Sequence, residues 1–305
     1  MIHGTHNAIE NDKNKDVKIF INGEFYHRED AKISVFDSGY LVGDGVWEGF
    51  RVHSGRLLFI DEHFNRLWQG AKAIGLKINF SKKQLLENIL KTLEVNEMND
   101  GIHVRVMLTR GIKKTPSQDP RLTIGPPNLV IIAEHKIASP DSKSKGITLF
   151  TSTIRRGSPD YLDPKLNCHS KLHEVQALVQ AIEAGADEAL MLDVNGFVST
   201  CNATNFFMVK NDEVWTSTGD YCMNGITRQN IINICKENEI VCYEKNFSLT
   251  DVYDADEAFV TGSFGGVTPV KKIDGREIGD LKTGPITLNL NHLYQELIKR
   301  LSTKA

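Results

Sequence analysis

The chain has 305 residues, 40% of them hydrophobic and 25% charged, and a formal net charge of −3. That balance excludes a disordered chain and allows two domains with separate cores. The absence of any Lys/Arg block excludes the electrostatic footprint of a nucleic-acid binder.

The first sixteen residues are polar and aperiodic and predict a mobile tail. "VKIFINGEFY" then alternates like a strand around an Asn-Gly turn, which predicts a hairpin. "RLLFIDEHFNRLWQGAKAIGL" passes from a strand into a helix with Phe64, Leu67, Trp68 and Ala71 at helical spacing and Asp61 as its N-cap. A second helix, "SKKQLLENILKTLEVN", precedes the strands "IHVRVMLTR" and "PNLVIIAEHK". The Ser-, Lys-, Pro- and Gly-rich stretch "IASPDSKSKG" predicts a linker over residues 138–146. Residues 17–137 thus form a small N-terminal domain and 147–305 a larger C-terminal one. The latter holds the strand "GITLFTSTI", the helix "KLHEVQALVQAIEAG", the hairpin "EALMLDVNGFVSTCNATNFFMVKNDEVW", the helix "ITRQNIINICKENE" and the strand "EAFVTGS". Hairpins and single helices without regular βαβ alternation predict an α+β fold.

Five cysteines, Cys168, Cys201, Cys222, Cys235 and Cys242, show no C-x-x-C spacing. An odd number without that spacing argues against a disulfide framework and a zinc site, and for a reducing, cytoplasmic home. No apolar run approaches signal-peptide or membrane-span length, so neither export nor insertion is expected.

The glycine-rich "GYLVGDGVWEGF" fits no G-x-G-x-x-G after a strand, and no G-x-x-x-x-G-K-[ST] occurs, which argues against Rossmann and P-loop nucleotide sites. Taken with other segments the same stretch has a different meaning. In order, "FDSGYLVGDGVWEGFR", "DEHFNRL", "HVRVMLTRG", "AGADEALMLDVNGFVS", "NGITRQNII" and "TGSFGGVTPV" resemble the class IV aminotransferases over roughly residues 17–275. That family includes branched-chain and D-amino-acid aminotransferases and aminodeoxychorismate lyase. The resemblance implies a two-domain fold of type IV for pyridoxal 5'-phosphate (PLP) enzymes, with the site in the cleft between domains and completed in a homodimer.

It also implies site residues. The H-x-x-R arginine matches Arg66, the backbone donors of the G-I-T-R turn match Ile226 and Thr227, and the T-G-[ST] hydroxyl matches Ser263. A glycine-led helix N-terminus suits a phosphate dianion, and a guanidinium adds a bidentate clamp. Arg66 alone reads equally as a solvated helix arginine; three concurring elements point to the phosphate.

The chemical half of the motif set is altered. Counting back without a gap from "AGADEALMLD" puts Asn167 of "LDPKLNCHSKLHEVQAL" where the family has its Schiff-base lysine. An amide is non-basic and non-nucleophilic and cannot form that bond. The family's glutamate to the pyridine nitrogen falls on Thr200, a neutral hydroxyl that does not hold a proton on the ring as a carboxylate does. Lys165, two residues before Asn167, reaches the site only by a strand slip of about 7 Å. Lys171 stands where the family has a tyrosine near the cofactor, and each lysine also reads as an ordinary solvated one. His169 and His173 flank Lys171, as acid/base groups or as structural residues. Arg105 matches an arginine that meets the substrate carboxylate in some branched-chain members, with Tyr40 and Trp47 lining the pocket beside it; all three also read as ordinary strand and core residues.

The leading expectation is PLP-dependent amino-group transfer, or related lyase chemistry, on a small amino or keto acid, using Lys171 or Lys165 as a displaced lysine. One rival is a pseudoenzyme that holds a phosphorylated ligand through Arg66 and Thr227 without a covalent link. Another is a PLP-independent enzyme using Asn167, Thr200 and His169.

Overall fold

The computed structural model describes residues 4–6 and 8–303. The chain divides into two compact units. The small unit is Ile9–Ile137 with Leu166–Lys171; the large unit holds the described residues up to Ala8, Ala138–Lys165 and the chain from Leu172 on.

In the small unit the predicted hairpin forms as β1 (Lys18–Ile21) and β2 (Glu24–His27). A short helix α1 (Ser38–Val42) leads into β3 (Gly45–His53) and β4 (Arg56–Leu57). The helices α2 (Ile60–Ala73) and α3 (Lys82–Val95) follow. Next come β5 (Ile102–Thr109), the short pair β6 (Ile112–Lys113) and β7 (Thr123–Ile124), and β8 (Asn128–His135). One six-stranded sheet has the order β2-β1-β8-β5-β3-β4.

Strand periodicity decides which residues meet the helices. Val46, Glu48, Phe50 and Val52 share one face of β3 and are all buried, and Val104, Val106 and Leu108 do the same on β5. Leu67 and Ala71 of α2 and Leu85 and Ile89 of α3 complete that core. Helix α2 begins two residues earlier than an Asp61 cap would place it. Phe59 enters it in a left-handed conformation (φ 54°) without a side-chain cap, so Asp61 lies in the first turn, where its charge favours the helix dipole.

The large unit opens with α4 (Pro140–Lys145), a capped helical turn inside the predicted linker; Pro140 and Ser139 stand at its first turn and N-cap. A nine-stranded sheet contains β9 (Ile147–Thr151), β10 (Glu188–Leu192), β11 (Val198–Cys201), β12 (Asn205–Lys210) and β13 (Glu213–Thr216). Its other strands are β14 (Cys242–Glu244), β15 (Glu257–Gly262), β16 (Gly266–Ile273) and β17 (Arg276–Glu277). The order is β11-β10-β9-β16-β15-β12-β13-β14, with β17 on β16. Its helices are α5 (Leu172–Glu183), α6 (Ile226–Glu237), α7 (Leu249–Tyr253) and α8 (Pro285–Thr303). Both units mix hairpins with single helices, the α+β character expected.

The predicted tail differs from its reading where it is described; residues 1–3 and 7 lie outside the described residues. Thr5 is buried and donates its amide to Glu188 (3.1 Å) and its hydroxyl to the same carboxylate. Asp12–Asp16 form a 3₁₀ turn capped by Asn11. A polar side chain satisfied by a buried carboxylate leaves no hydrophobic signature, so composition gives no sign of the contact that Thr5 makes.

Glu257, buried at the start of β15, accepts from the amides of Ile286 (3.0 Å) and Thr287 (2.7 Å) and so caps α8. Glu257→Ala strands two donors and is expected to cost about 2 kcal/mol, read as a drop in chemical-denaturation stability. No helix among the described residues is long and apolar enough to cross a membrane.

Candidate active site

The residues singled out in the sequence fall on both units. Arg66, Tyr40, Trp47, Arg105, Asn167 and Lys171 belong to the small unit; Lys165, Thr200, Ile226, Thr227 and Ser263 belong to the large one.

In the small unit, Gly70 brings α2 close to β3. A side chain there would meet Val46 Cγ1 at 3.2 Å. This approach sets Arg66 and His63, one turn apart on α2, over Glu48 of β3. Arg66 donates from Nε to Oε1 of Glu48 (2.7 Å) and from Nη2 to Oε2 (2.8 Å), while His63 Nδ1 lies 2.6 Å from Oε2. Glu48 and His63 are each 1% exposed. Burial alone would raise the Glu48 carboxyl, but the Arg66 charge and the bonds from Arg66 and His63 outweigh it and hold it below its ordinary value. Burial lowers His63 below its ordinary value against the pull of Glu48, so His63 is neutral and donates. The guanidinium edge expected to clamp a phosphate is therefore turned to Glu48.

The other face of the same strands carries Trp47 and Arg105, whose guanidinium stacks on the indole at 4.1 Å. Burial lowers Arg105 below its ordinary value, opposed by the charge of Glu134. Trp47 Nε1 donates to the carbonyl of Cys168 (3.1 Å). Tyr40, 75% exposed, lines a cavity of about 530 Å³ together with Asp37, Thr109, Asn128 and His169. Asp37 is fully satisfied there by the Thr109 hydroxyl (2.7 Å), the Asn128 amide (2.5 Å) and the Gly39 N–H (2.8 Å).

The segment around Asn167 is tied to β3. The Trp47 amide donates to the Asn167 carbonyl (3.0 Å), the Asn167 side-chain amide donates to the Trp47 carbonyl (2.7 Å), and the His169 amide donates to the Gly45 carbonyl (2.9 Å). Asn167 is 5% exposed, and its Oδ1 and the Nε2 of His169 are buried without a hydrogen-bond partner among the described residues. Burial lowers His169 below its ordinary value. Both are orphaned acceptors of the kind a bound donor satisfies. Lys171, half-buried, immediately precedes α5.

In the large unit Lys165 is exposed, and its amide closes a turn on Asp163 Oδ1 (2.9 Å). Thr200 on β11 is buried and donates its hydroxyl to the Thr204 carbonyl (2.7 Å). Helix α6 starts after Gly225 with no side-chain cap and no acidic residue in its first turn, so Ile226 and Thr227 stand at an uncapped N-terminus. A Cβ on Gly225 would lie 2.1 Å from Asn205 Oδ1, so a side chain there displaces Asn205 or the turn. Ser263 follows β15, and Thr261 in that strand keeps a buried hydroxyl without a partner among the described residues. Gly225→Ala is expected to weaken inorganic phosphate binding by about 1–3 kcal/mol by displacing the first turn, measured by isothermal titration against wild type.

Sequence reasoning missed Glu48 and His63. The period of two on β3 carried the signal, because it puts Glu48 on the same face as Val46 and Phe50. It missed as well the buried pair Arg156–Glu174 (2.8 Å). No group of three or more His, Cys, Asp or Glu placed to hold a metal occurs among the described residues.

This fold is that of PLP fold type IV. The T.th. branched-chain amino acid aminotransferase, solved with pyridoxamine 5'-phosphate, superposes with a TM-score of 0.87 at 29% identity, covering 93% of this chain and 94% of that one. The family model for class IV amino-transferases matches residues 45–273, and the chain belongs to that family. A putative branched-chain-amino-acid aminotransferase of Methanocaldococcus jannaschii is 38% identical over 283 residues, 92% of this chain and 96% of that protein. Branched-chain-amino-acid aminotransferase-like protein 2 of Arabidopsis thaliana is 40% identical over 285 residues, and the chain spans about half (51%) of its length.

Proposed function

We propose that this chain transfers amino groups between small amino and keto acids with PLP as cofactor, and that Lys171 supplies the amine which Asn167 cannot. The observation that supports the reading is the two-way pairing of Asn167 with Trp47, which ties this segment to β3. A slip that moved Lys165 into that place would break these bonds, whereas Lys171 needs no slip.

The residues fit the phosphate end of the cofactor. The uncapped start of α6 at Ile226 and Thr227 offers backbone donors to a dianion, and the hydroxyl of Ser263 is the further donor proposed for it. Arg66, in the small unit, spends two of its donors on Glu48. The bound cofactor supplies an aldehyde and an electron-withdrawing ring. The chain's own part is to hold the phosphate and to present a half-buried amine at Lys171. His169, kept neutral by burial, offers Nε2 as a proton acceptor beside the cavity. Arg105, stacked on Trp47, and Tyr40 are the groups proposed to meet the substrate carboxylate and side chain.

A second reading, non-covalent binding of a phosphorylated ligand, draws on Asn167 and on Thr200, whose hydroxyl is spent on Thr204 and offers no carboxylate. Visible absorption of the protein titrated with PLP, followed by borohydride reduction and peptide mapping, separates the two. A pyridoxyl group on Lys171 is expected; on Lys165 it refutes the register argument, and saturable binding with no labelled lysine establishes the second reading.

A further inference from the structure

Helix α6 and strand β14, both in the large unit, bring two cysteines of the chain together. Arg228 and Cys235 are both buried and lie two turns apart along one face of α6. Cys242 and Glu244 alternate with Tyr243 on β14 and so share a face of that strand. The ion pair from Arg228 Nη2 to Glu244 Oε2 (2.7 Å) decides which faces meet. Cys235 therefore lies opposite Cys242, and the two thiols are hydrogen-bonded to each other. The turn between them is held at both ends. The Ile240 amide donates to the Cys235 carbonyl (2.9 Å), and the Val214 amide donates to the Val241 carbonyl (2.9 Å), which sets Cys242 at the start of β14.

The two sulfurs differ in access and in charge. Cys235 is fully buried, whereas Cys242 is half-buried on the last strand in the order of the nine-stranded sheet. The hydrogen bond from Cys235 holds the Cys242 thiol below its ordinary value against burial and the Glu244 charge, and the Arg228 charge adds to it. That same bond, together with burial, raises the Cys235 thiol. Cys242 is thus the sulfur that ionises and meets solvent, and Cys235 keeps its proton beside it. The other three cysteines, Cys168, Cys201 and Cys222, are buried.

We infer that Cys235 and Cys242 form a dithiol site which a peroxide oxidises to an intramolecular disulfide, with Cys242 reacting first. The Cys242 thiolate attacks one oxygen of hydrogen peroxide, the O–O bond breaks, and the departing hydroxide takes up a proton and leaves as water. Cys242 then carries a sulfenic acid. Cys235 gives its proton to the sulfenic oxygen as its sulfur attacks Cys242; the S–S bond forms, the S–O bond breaks and a second water leaves. Two thiols are oxidised by two electrons and one peroxide is reduced to two waters. A resolving thiol already in contact stops Cys242 at the disulfide, short of the irreversible sulfinic acid. The product joins the last turn of α6 to β14, and an added thiol reverses it. No C-x-x-C marks the pair in the sequence, because a helix end and a strand start bring the sulfurs together.

The test uses the full reduced chain and hydrogen peroxide. Free thiols are blocked with iodoacetamide in denaturant, and a non-reducing tryptic digest is read by mass spectrometry. Cleavage after Arg228, Lys236 and Lys245 puts Cys235 in peptide 229–236 and Cys242 in peptide 237–245. Peroxide is expected to link these two peptides, dithiothreitol to separate them, and the other three cysteines to stay alkylated. Cys235→Ser is expected to lose the link and to leave Cys242 as a sulfenic acid that dimedone traps. Cys242→Ser is expected to slow the oxidation of Cys235 by on the order of 10-fold or more, since the remaining thiol is buried and protonated. Circular dichroism checks both folds; should either variant fail to fold, the wild-type digest decides alone. Wild type overturns the inference in any of three ways: both peptides alkylated and unlinked after peroxide, Cys242 oxidised to sulfinic acid beside a free Cys235, or peptide 237–245 linked to a second copy of itself.

Discussion

Lys171→Ala is expected to abolish pyridoxyl labelling on borohydride reduction and to lower the rate of half-transamination by on the order of 10³-fold or more, while Lys165→Ala leaves both within about twofold. The asymmetry follows from where each amine sits. Lys165 is exposed, and its amide closes a turn on Asp163. Lys171 is half-buried at the entry to α5, four residues beyond an asparagine whose backbone and side chain are both tied to Trp47. Its four-carbon stem carries a basic amine, which the tyrosine of the family pattern lacks. Lys171→Arg keeps the charge and removes the nucleophile, so it separates loss of the amine from loss of a local ion pair. If Lys171→Arg retains full activity, the amine is not required and the covalent reading fails. Asn167→Lys restores the family pattern; a new label on position 167 would show that the altered segment still faces the cofactor.

Most of the fold was legible in the sequence because strand and helix periods are written in side chains that bury themselves. The period of two in "VWEGF" and the helical spacing of Phe64, Leu67 and Ala71 correspond to β3 and α2. Features that depend on polar satisfaction were not legible. Pro140 and Ser139 read as linker residues yet cap a helix, since the same residue types break a chain or start a helix according to the residues after them. Thr5 read as tail because nothing in its neighbourhood of sequence announces a buried Glu188 far along the chain. Motif counting singled out Asn167 and Thr200. It could not tell that Thr200's hydroxyl is committed to Thr204 or that Arg66's guanidinium is committed to Glu48, because both partners are chosen by packing.

Breaking the group of Glu48, His63 and Arg66 is expected to have the largest effect on stability. Glu48→Gln leaves the largely buried guanidinium of Arg66, 15% exposed, facing a neutral amide. Removing one partner of a buried ion pair costs about 3–5 kcal/mol, because the remaining charge stays desolvated. The same group sets an acid response whose sign can be worked out. Glu48's carboxyl is held below its ordinary 4.5 in the fold, so its contribution is present above that value and is lost as pH falls through the depressed one. His63 is likewise held below its ordinary 6.5 by burial; below that pH the unfolded chain takes up a proton that the folded chain refuses, and stability declines. Two windows result, one opening below about 6.5 and a steeper one below about 4.5. His63→Leu deletes the titrating ring and is expected to flatten the first window while leaving the second, at the cost of one hydrogen bond to Glu48. Urea denaturation from pH 7 down to about 2 reads both. A His63→Leu protein whose stability still falls between pH 6.5 and 5 as steeply as wild type would place that loss on another histidine, and a Glu48→Gln protein as stable as wild type at pH 7 would show that the carboxylate does not hold Arg66.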